Sequence, residues 1–502
     1  MTRSVMVWGT SSGAGKSWLA TALCRWAARQ GVVVRPFKAQ NMSNNARVVA
    51  GLGGAMGEIG SAQYFQALAA RVEPTVDMNP VLLKPETDTA SQVVVHGRVD
   101  PELSRMRWRD RSARLAEAAR ASFERVCAES DLVVIEGAGS PAEINLAPND
   151  YVNLGTARWA REIGDLACLL VTNIDLGGAF AHVYGTWALL PEDLRPSLQG
   201  YVLNKFRGDA ALLEPGPQSI LKLTGVPLAG VIPLIRQHGL PEEDGLHGHT
   251  SASVGAAGAR AGLRVVVVCP PHISNLDEFQ PLSQMPGVCL CWARTAAELV
   301  GADWIVLPGS KQVSADLAWL REQGLAAVVM RHAAAGGAVL GICGGLQILG
   351  ELLVDTDGHD GQAGVDVRGL GLLPLVTRYG PDKQVRRCTL QFAQVDGPWS
   401  AWRGLATAGY EIHCGVTVEV PSASSDARAR VALTDDRGQP LGWQVGSVLG
   451  VYAHGLFESA ALIRAMWGHR APSVEDAFDL LADQMDAHLD RRLLDRMLLG
   501  KH

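Results

Sequence analysis

Short apolar runs that stop abruptly at small or polar residues recur along this chain. Val5-Met-Val-Trp8 ends at Gly9, Asp131-Leu-Val-Val-Ile135 at Glu136-Gly-Ala-Gly139, Cys168-Leu-Leu-Val171 at Asn173-Ile-Asp175, and Tyr201-Val-Leu203 at Asn204-Lys205. Val231-Ile-Pro233 closes this series, and Leu263–Val268, Trp304–Leu307 and Ala338–Ile342 repeat the same grammar in the second half. Runs that are apolar at every position predict strands covered on both faces, as in parallel sheets. Between them lie stretches of helical spacing: Trp18 to Trp26 with Gly31 as C-cap, an arginine-rich solvated crossover over roughly 101–129, and a capped amphipathic helix from Ser473. The pattern predicts an α/β fold in two domains. A parallel-sheet domain spans 1–240, a Gly/Ser/Ala-rich linker spans 241–262, and a second α/β domain spans 263–502, with the C-terminal helix packed on it.

Composition narrows the partners. The 502 residues suit two or three domains, and 45 Lys plus Arg against 51 Asp plus Glu give −6, with no basic footprint for nucleic acid. Nine cysteines without a C-x-x-C pair predict reduced thiols and no disulfides. No apolar run approaches the ~20 residues of a membrane span, and the N-terminus runs straight into a glycine-rich loop rather than a signal peptide. The expectation is a cytoplasmic protein with no membrane or nucleic-acid partner; oligomeric state is not legible. His247-Gly-His249 reads as exposed linker rather than half a metal site.

Two stretches carry chemistry. Gly9-Thr-Ser-Ser-Gly-Ala-Gly-Lys16-Ser17, between a strand and a helix, predicts a phosphate cradle. Glycines let N–H groups converge on an anion, Lys16 adds a point charge, and the Ser17 hydroxyl can ligate Mg²⁺. The loop is one residue longer than G-x-x-x-x-G-K-[ST], because position 10 is Thr10. Glu136, at a strand's C-terminal end, is the second Mg²⁺ candidate, and Asn204 and Lys205 are candidates for contacting a nucleotide. The amide-rich segment Phe37 to Asn45 sits at another strand end, where Gln40 and Asn41 could read a polar ligand; Lys84 could pair with an anionic one.

The second stretch is Gly341-Ile-Cys343-Gly-Gly345-Leu-Gln347, a cysteine between an apolar strand and a helix, which predicts a nucleophile elbow. A helix N-terminus favours a thiolate there. A cysteine nucleophile needs a base, and His454, beside Gly455 at a strand end, stands ahead of His413. Gly309 and Gly344 are the candidate oxyanion donors.

Taken together, the two halves resemble known families. Gly341 to Gln347 meets the G-[IV]-C-x-G-x-Q signature of class I glutamine amidotransferases, and Pro308-Gly-Ser-Lys311 resembles their oxyanion strand, which implies glutamine binding near Gln347. Those enzymes usually carry a glutamate two residues after the histidine; here that position is Leu456, leaving Glu458 or Glu411 to orient His454. The longer loop resembles that of dethiobiotin synthetase and its relatives, implying ATP held by Thr10, Gly13, Gly15, Lys16 and Ser17 with Mg²⁺ on Ser17 and Glu136. Pro36 to Asn45, Met78 to Pro85, Val134 to Asn145, Asn204 to Asp209 and Gly409 to His413 extend the likeness over the whole chain, to the cobyric acid synthase family. Gly13 and Leu176 depart from residues common in relatives.

That resemblance implies an ATP- and glutamine-dependent ligase. It would amidate the b, d, e and g carboxylates of adenosylcobyrinic acid a,c-diamide through acyl phosphates, with Gln40, Asn41, Lys84 and Asp175 toward the polyacidic corrinoid and no permanently bound cofactor. Cobyrinate a,c-diamide synthase and a peptidoglycan-precursor amidase are the nearest rivals. A ParA-like nucleotide switch is the rival of another class, against which Cys343 argues, since a switch has no use for a nucleophile.

Overall fold

The computed structural model describes residues 2–86, 89–235, 238–240, 262–420, 428–469 and 473–500. Residues 241–261 of the 241–262 linker, and with them His247 and His249, lie outside the described residues. The chain divides into two compact units: Met1–Ser43, Val49–Asp244 and Ser473–His502 form the first, and Asn44–Val48 with Gly245–Pro472 the second.

The first unit is built on a parallel sheet. Its strands are β1 (Arg3–Gly9), β2 (Val34–Phe37), β3 (Leu132–Glu136), β4 (Asp165–Asn173), β5 (Leu198–Phe206) and β6 (Leu228–Pro233), in the order β6-β5-β4-β1-β3-β2. The two faces explain the unbroken apolar runs. Val5 and Val7 of β1 join one core, with Leu19, Leu23 and Trp26 of helix α1 (Lys16–Arg29), while Met6 and Trp8 join the other, with Phe37 and Phe123. A second, small sheet carries Gln40–Met42, Val81–Pro85 and Ser91–Val95, so the pieces between proline and glycine are strands. The crossover helix runs Trp108–Ala128.

The second unit also starts as a parallel sheet. Strands β7 (Leu263–Val268), β8 (Val288–Ala293), β9 (Trp304–Leu307), β10 (Ala338–Ile342) and β11 (Val448–Val451) lie in the order β8-β7-β9-β10-β11. Beyond β11 the sheet turns antiparallel and reaches a long hairpin of Leu375–Phe392 with Ala406–Glu419. The strand ends on β9, β10 and β11 present the oxyanion stretch, Cys343 and His454 respectively.

The helix from Ser473 departs from the sequence expectation, since it belongs to the first unit. Helix α2 (Val474–His488) buries Phe478, Leu481, Ala482 and Met485 in the core that holds α1. Asp479 takes the Arg25 guanidinium in a two-bond fork of 2.8 and 3.0 Å, Asp483 accepts from Arg29 at 2.6 Å, and Asp486 accepts from Trp26 Nε1 at 2.9 Å. The physical reason is that α1 is apolar on more than its sheet-facing side and needs a second cover. All nine cysteines are free, and among the described residues no helix is long and apolar enough to cross a membrane.

Candidate functional site

In the first unit, the loop after β1 enters α1 through Gly15 in the left-handed region, φ 107°. A Cβ there would lie 2.0 Å from Asn204 Nδ2, which donates to Ala14 O at 2.9 Å, so Asn204 braces the loop from the end of β5. Lys16 is buried, and its Nζ donates to Ser11 O at 3.0 Å and Gly139 O at 3.1 Å, drawn back across the loop. Thr10 donates to Thr172 at 3.0 Å. Gly13 also has positive φ, and Lys205 takes the unusual φ of 61° for a non-glycine residue at the same strand edge.

Glu136 is the hub. It is fully buried, and Ser17 Oγ donates to its Oε1 at 2.8 Å, Lys38 Nζ to the same oxygen at 2.9 Å, and Gln66 Nε2 to Oε2 at 2.5 Å. A hydroxyl and a carboxylate oxygen converging beside a phosphate loop suit a hard cation that keeps the rest of its shell for phosphate and water, so this donor set fits Mg²⁺. Gln63 links this cluster to Asn41, whose Nδ2 donates to Gln63 Oε1 at 3.1 Å, and Gln40 accepts from Tyr151 OH at 2.6 Å. Two candidates are engaged differently from expectation. Lys84 is buried in an ion pair with Glu58, and Asp175 is paired with Arg207 at the surface.

In the second unit, Cys343 takes φ 53°, ψ −108° between β10 and the helix Gly344–Leu349. A non-glycine residue held there stores on the order of 1–3 kcal/mol of strain. The turn is tight because β9 passes close by: a Cβ on Gly345 would lie 1.9 Å from Leu307 O. Gly309 packs against the His454 ring, where a Cβ would approach Cε1 at 3.2 Å, and Gly344 packs against Ser310. Ser310 Oγ donates to Asp316 at 2.5 Å, and His272 contacts the same carboxylate at 2.8 Å, fixing the oxyanion stretch.

His454 is brought to the Cys343 elbow with its side chain 1% exposed, and the thiol itself lies 3.6 Å from Ile412 O. Its Nδ1 lies 2.9 Å from Glu278 Oε1, and Gly455 N donates to Glu278 Oε2 at 3.2 Å. Burial by itself would push the imidazole down, but the Glu278 charge, the neighbouring Cys343 thiol and the hydrogen bond to Glu278 hold it up, at about 10. The acid behind the histidine is therefore Glu278, 176 residues upstream. Of the two expected orienters, Glu458 pairs with Arg47 and Glu411 with Arg386. His413 pairs with Glu411 at 3.0 Å and stacks on Tyr452. Gln347 is locked by Tyr379 OH at 2.9 Å and by its own donation to Cys414 O at 3.0 Å. Sequence reasoning missed Glu278, Lys38, Gln63 and Gln66. Lys38 adjoins the amide-rich segment and could have been read as a charge at a strand end, whereas nothing in spacing ties Glu278 to His454.

Comparison with known proteins agrees with this division. The family model described as the CobQ/CobB/MinD/ParA nucleotide binding domain matches residues 5–242, and that of the CobB/CobQ-like glutamine amidotransferase domain matches 264–462. A cobyric acid synthase of Methylibium petroleiphilum is 61% identical over 99% of this chain and 97% of its own length. One from Leptothrix cholodnii is 58% identical over 99% and 98%. A solved glutamine amidotransferase overlaps 43% of this chain and 98% of its own at 18% identity and a TM-score of 0.30, too loosely to add to the argument. With a phosphate loop in one half, a cysteine elbow in the other and such relatives over nearly its whole length, the chain belongs to the cobyric acid synthase family of glutamine-dependent, ATP-using amide ligases.

Proposed function

We propose that this chain converts adenosylcobyrinic acid a,c-diamide into adenosylcobyric acid by amidating its b, d, e and g carboxylates. The observation that carries the reading is the buried Glu278–His454 pair facing Cys343, a relay suited to taking the amide nitrogen from glutamine. Cys343 Sγ attacks the side-chain amide carbon of glutamine, and the C–N bond breaks as His454 delivers a proton to the departing ammonia. Gly309 and Gly344 N–H groups stabilise the oxyanion, and water then hydrolyses the thioester to glutamate through the same histidine. Gln347 shapes the glutamine side of the elbow through Tyr379 and Tyr452.

In the first unit, the Gly9–Ser17 loop holds ATP with Asn204 and Lys205, and a corrinoid carboxylate oxygen attacks the γ-phosphorus, releasing ADP. Ammonia displaces phosphate from the acyl phosphate, leaving the amide. Ser17 and Glu136 would hold Mg²⁺, which neutralises phosphate charge. Gln40 and Asn41 line the substrate side, and Lys84 and Asp175 act there through the ion pairs they make. Incubation with ATP, Mg²⁺, amide-¹⁵N glutamine and the a,c-diamide should place four labelled nitrogens in the corrinoid, read by mass spectrometry. A folded protein that leaves the a,c-diamide unlabelled overturns the assignment, and labelling of the a and c positions when the unamidated corrinoid acid is supplied in its place would then move it to the rival diamide synthase.

A further inference from the structure

Residues 44–48 lie between stretches of the first unit in sequence, yet they fold as part of the second unit. They are fastened there by side chains. Asn45 Oδ1 accepts from Leu276 N at 2.9 Å, Ala46 N donates to Asn275 Oδ1 at 3.1 Å, and Arg387 Nε donates to Val48 O at 2.9 Å. Every partner of the first two lies in the turn Asn275–Phe279, which Asn275 opens at φ 54°. That turn carries Glu278.

Arg47 makes the central contacts. It is 2% exposed; its Nε donates to Asp277 Oδ2 at 2.9 Å, its Nη2 reaches the same oxygen, and its Nη1 lies 2.6 Å from Glu458 Oε1. Its guanidinium also lies over the Tyr410 ring, 5.3 Å from the centroid, and that ring stacks on the His454 ring at 5.3 Å and 22°. Tyr410 and His454 further exchange backbone hydrogen bonds, of which His454 N to Tyr410 O is 2.9 Å. Arg47 thus reaches both supports of the histidine: the residue preceding Glu278 in its turn, and the ring on which the imidazole lies.

We propose that Arg47 is a positioning residue of the glutaminase half, fixing the Asn275–Phe279 turn and the Tyr410 ring so that Glu278 holds His454 toward Cys343. This rests on the reading of Cys343, His454 and Glu278 as the glutaminase relay. Two physical points favour placement over bulk packing. A guanidinium with a fork on one carboxylate, a second carboxylate at its end and a ring beneath is fixed in three directions, which lysine cannot reproduce. The Tyr410 hydroxyl is buried without a hydrogen-bond partner among the described residues, so the side chain meets the histidine through its ring and not through its hydroxyl.

The test measures glutamine hydrolysis and ammonia-supported amidation in the full-length protein. Arg47→Met should lower kcat for glutamine on the order of 10²-fold with KM little changed, since an ångström of misplacement in a catalytic group has that effect. Ammonia-supported amidation should persist, and Arg47→Lys should recover part of the loss. Tyr410→Phe should be silent while Tyr410→Leu reproduces the kcat loss, and these two decide the matter if Arg47→Met does not fold. Unchanged kcat in Arg47→Met, a loss confined to KM, or equal loss in Tyr410→Phe and Tyr410→Leu would overturn the proposal. A wild-type protein inert toward glutamine, or one whose glutaminase survives Cys343→Ala, would instead overturn the relay it rests on.

Discussion

At the scale of single residues, the second unit turns on the pairing of Glu278 with His454. Replacing the acid by its amide removes the charge that holds the imidazole up, and Glu278→Gln should lower glutamine-dependent amidation by roughly 10²–10⁴-fold. Ammonia-supported amidation, assayed in parallel, should be spared. The same pair has a thermodynamic signature. Because the folded-state value for His454 is about 10 against an ordinary 6.5, its contribution to stability is complete below about pH 6.5 and is lost as pH rises toward 10. Thermal melts from pH 6.5 to 10 should therefore fall more steeply for the wild type than for Glu278→Gln. Cys343 offers a second stability test. Its backbone sits where glycine is at ease, so Cys343→Gly should melt higher than the equally inactive Cys343→Ala, by about 1 kcal/mol once the extra chain entropy of glycine is set against the relieved strain.

At the scale of elements, what was legible is what depends on local pattern. The unbroken apolar runs of β1, β3 and β10 announce strands covered on both faces, and the small residues that end them announce the ligand edge; the loop at Lys16 and the elbow at Cys343 followed from that edge. Three things escaped. Glu278 is joined to His454 through space alone. Residues 44–48 carry no break in composition where the chain changes unit. The helix α2 looked like a cap on whatever preceded it, although its acids at 475, 479 and 483 form the stripe that Arg25 and Arg29 answer, with Asp486 taking the Trp26 indole N–H. Amphipathy says that a helix needs a cover and leaves open which one. Phe478, fully buried against α1, should reveal the true partner: Phe478→Ala should remove about 3–5 kcal/mol of stability. Hydrogen exchange should show the loss over residues 3–37 and leave 263–354 unaltered.

At the scale of the whole molecule, two chemistries are divided between two units, and the division can be read out by selective loss. Cys343→Ala should abolish the use of glutamine while amidation proceeds with added ammonium salt. Lys16→Ala should do the reverse, retaining glutamate release while ADP formation ceases. Equal loss of both reactions in either variant would show that the labour is not divided between these two centres. The interleaving of the units also bears on how the protein is made. The segment that completes the ATP-binding half, Ser473–His502, is translated after the entire glutaminase half. During all of that synthesis the α1 core lacks Phe478, Leu481, Ala482 and Met485, which leaves an exposed apolar surface of the kind chaperones hold. A nascent chain cut short by premature termination would thus bear a finished glutaminase and an unfinished ligase, and its ligase half would be open to proteolysis before it could turn over nucleotide.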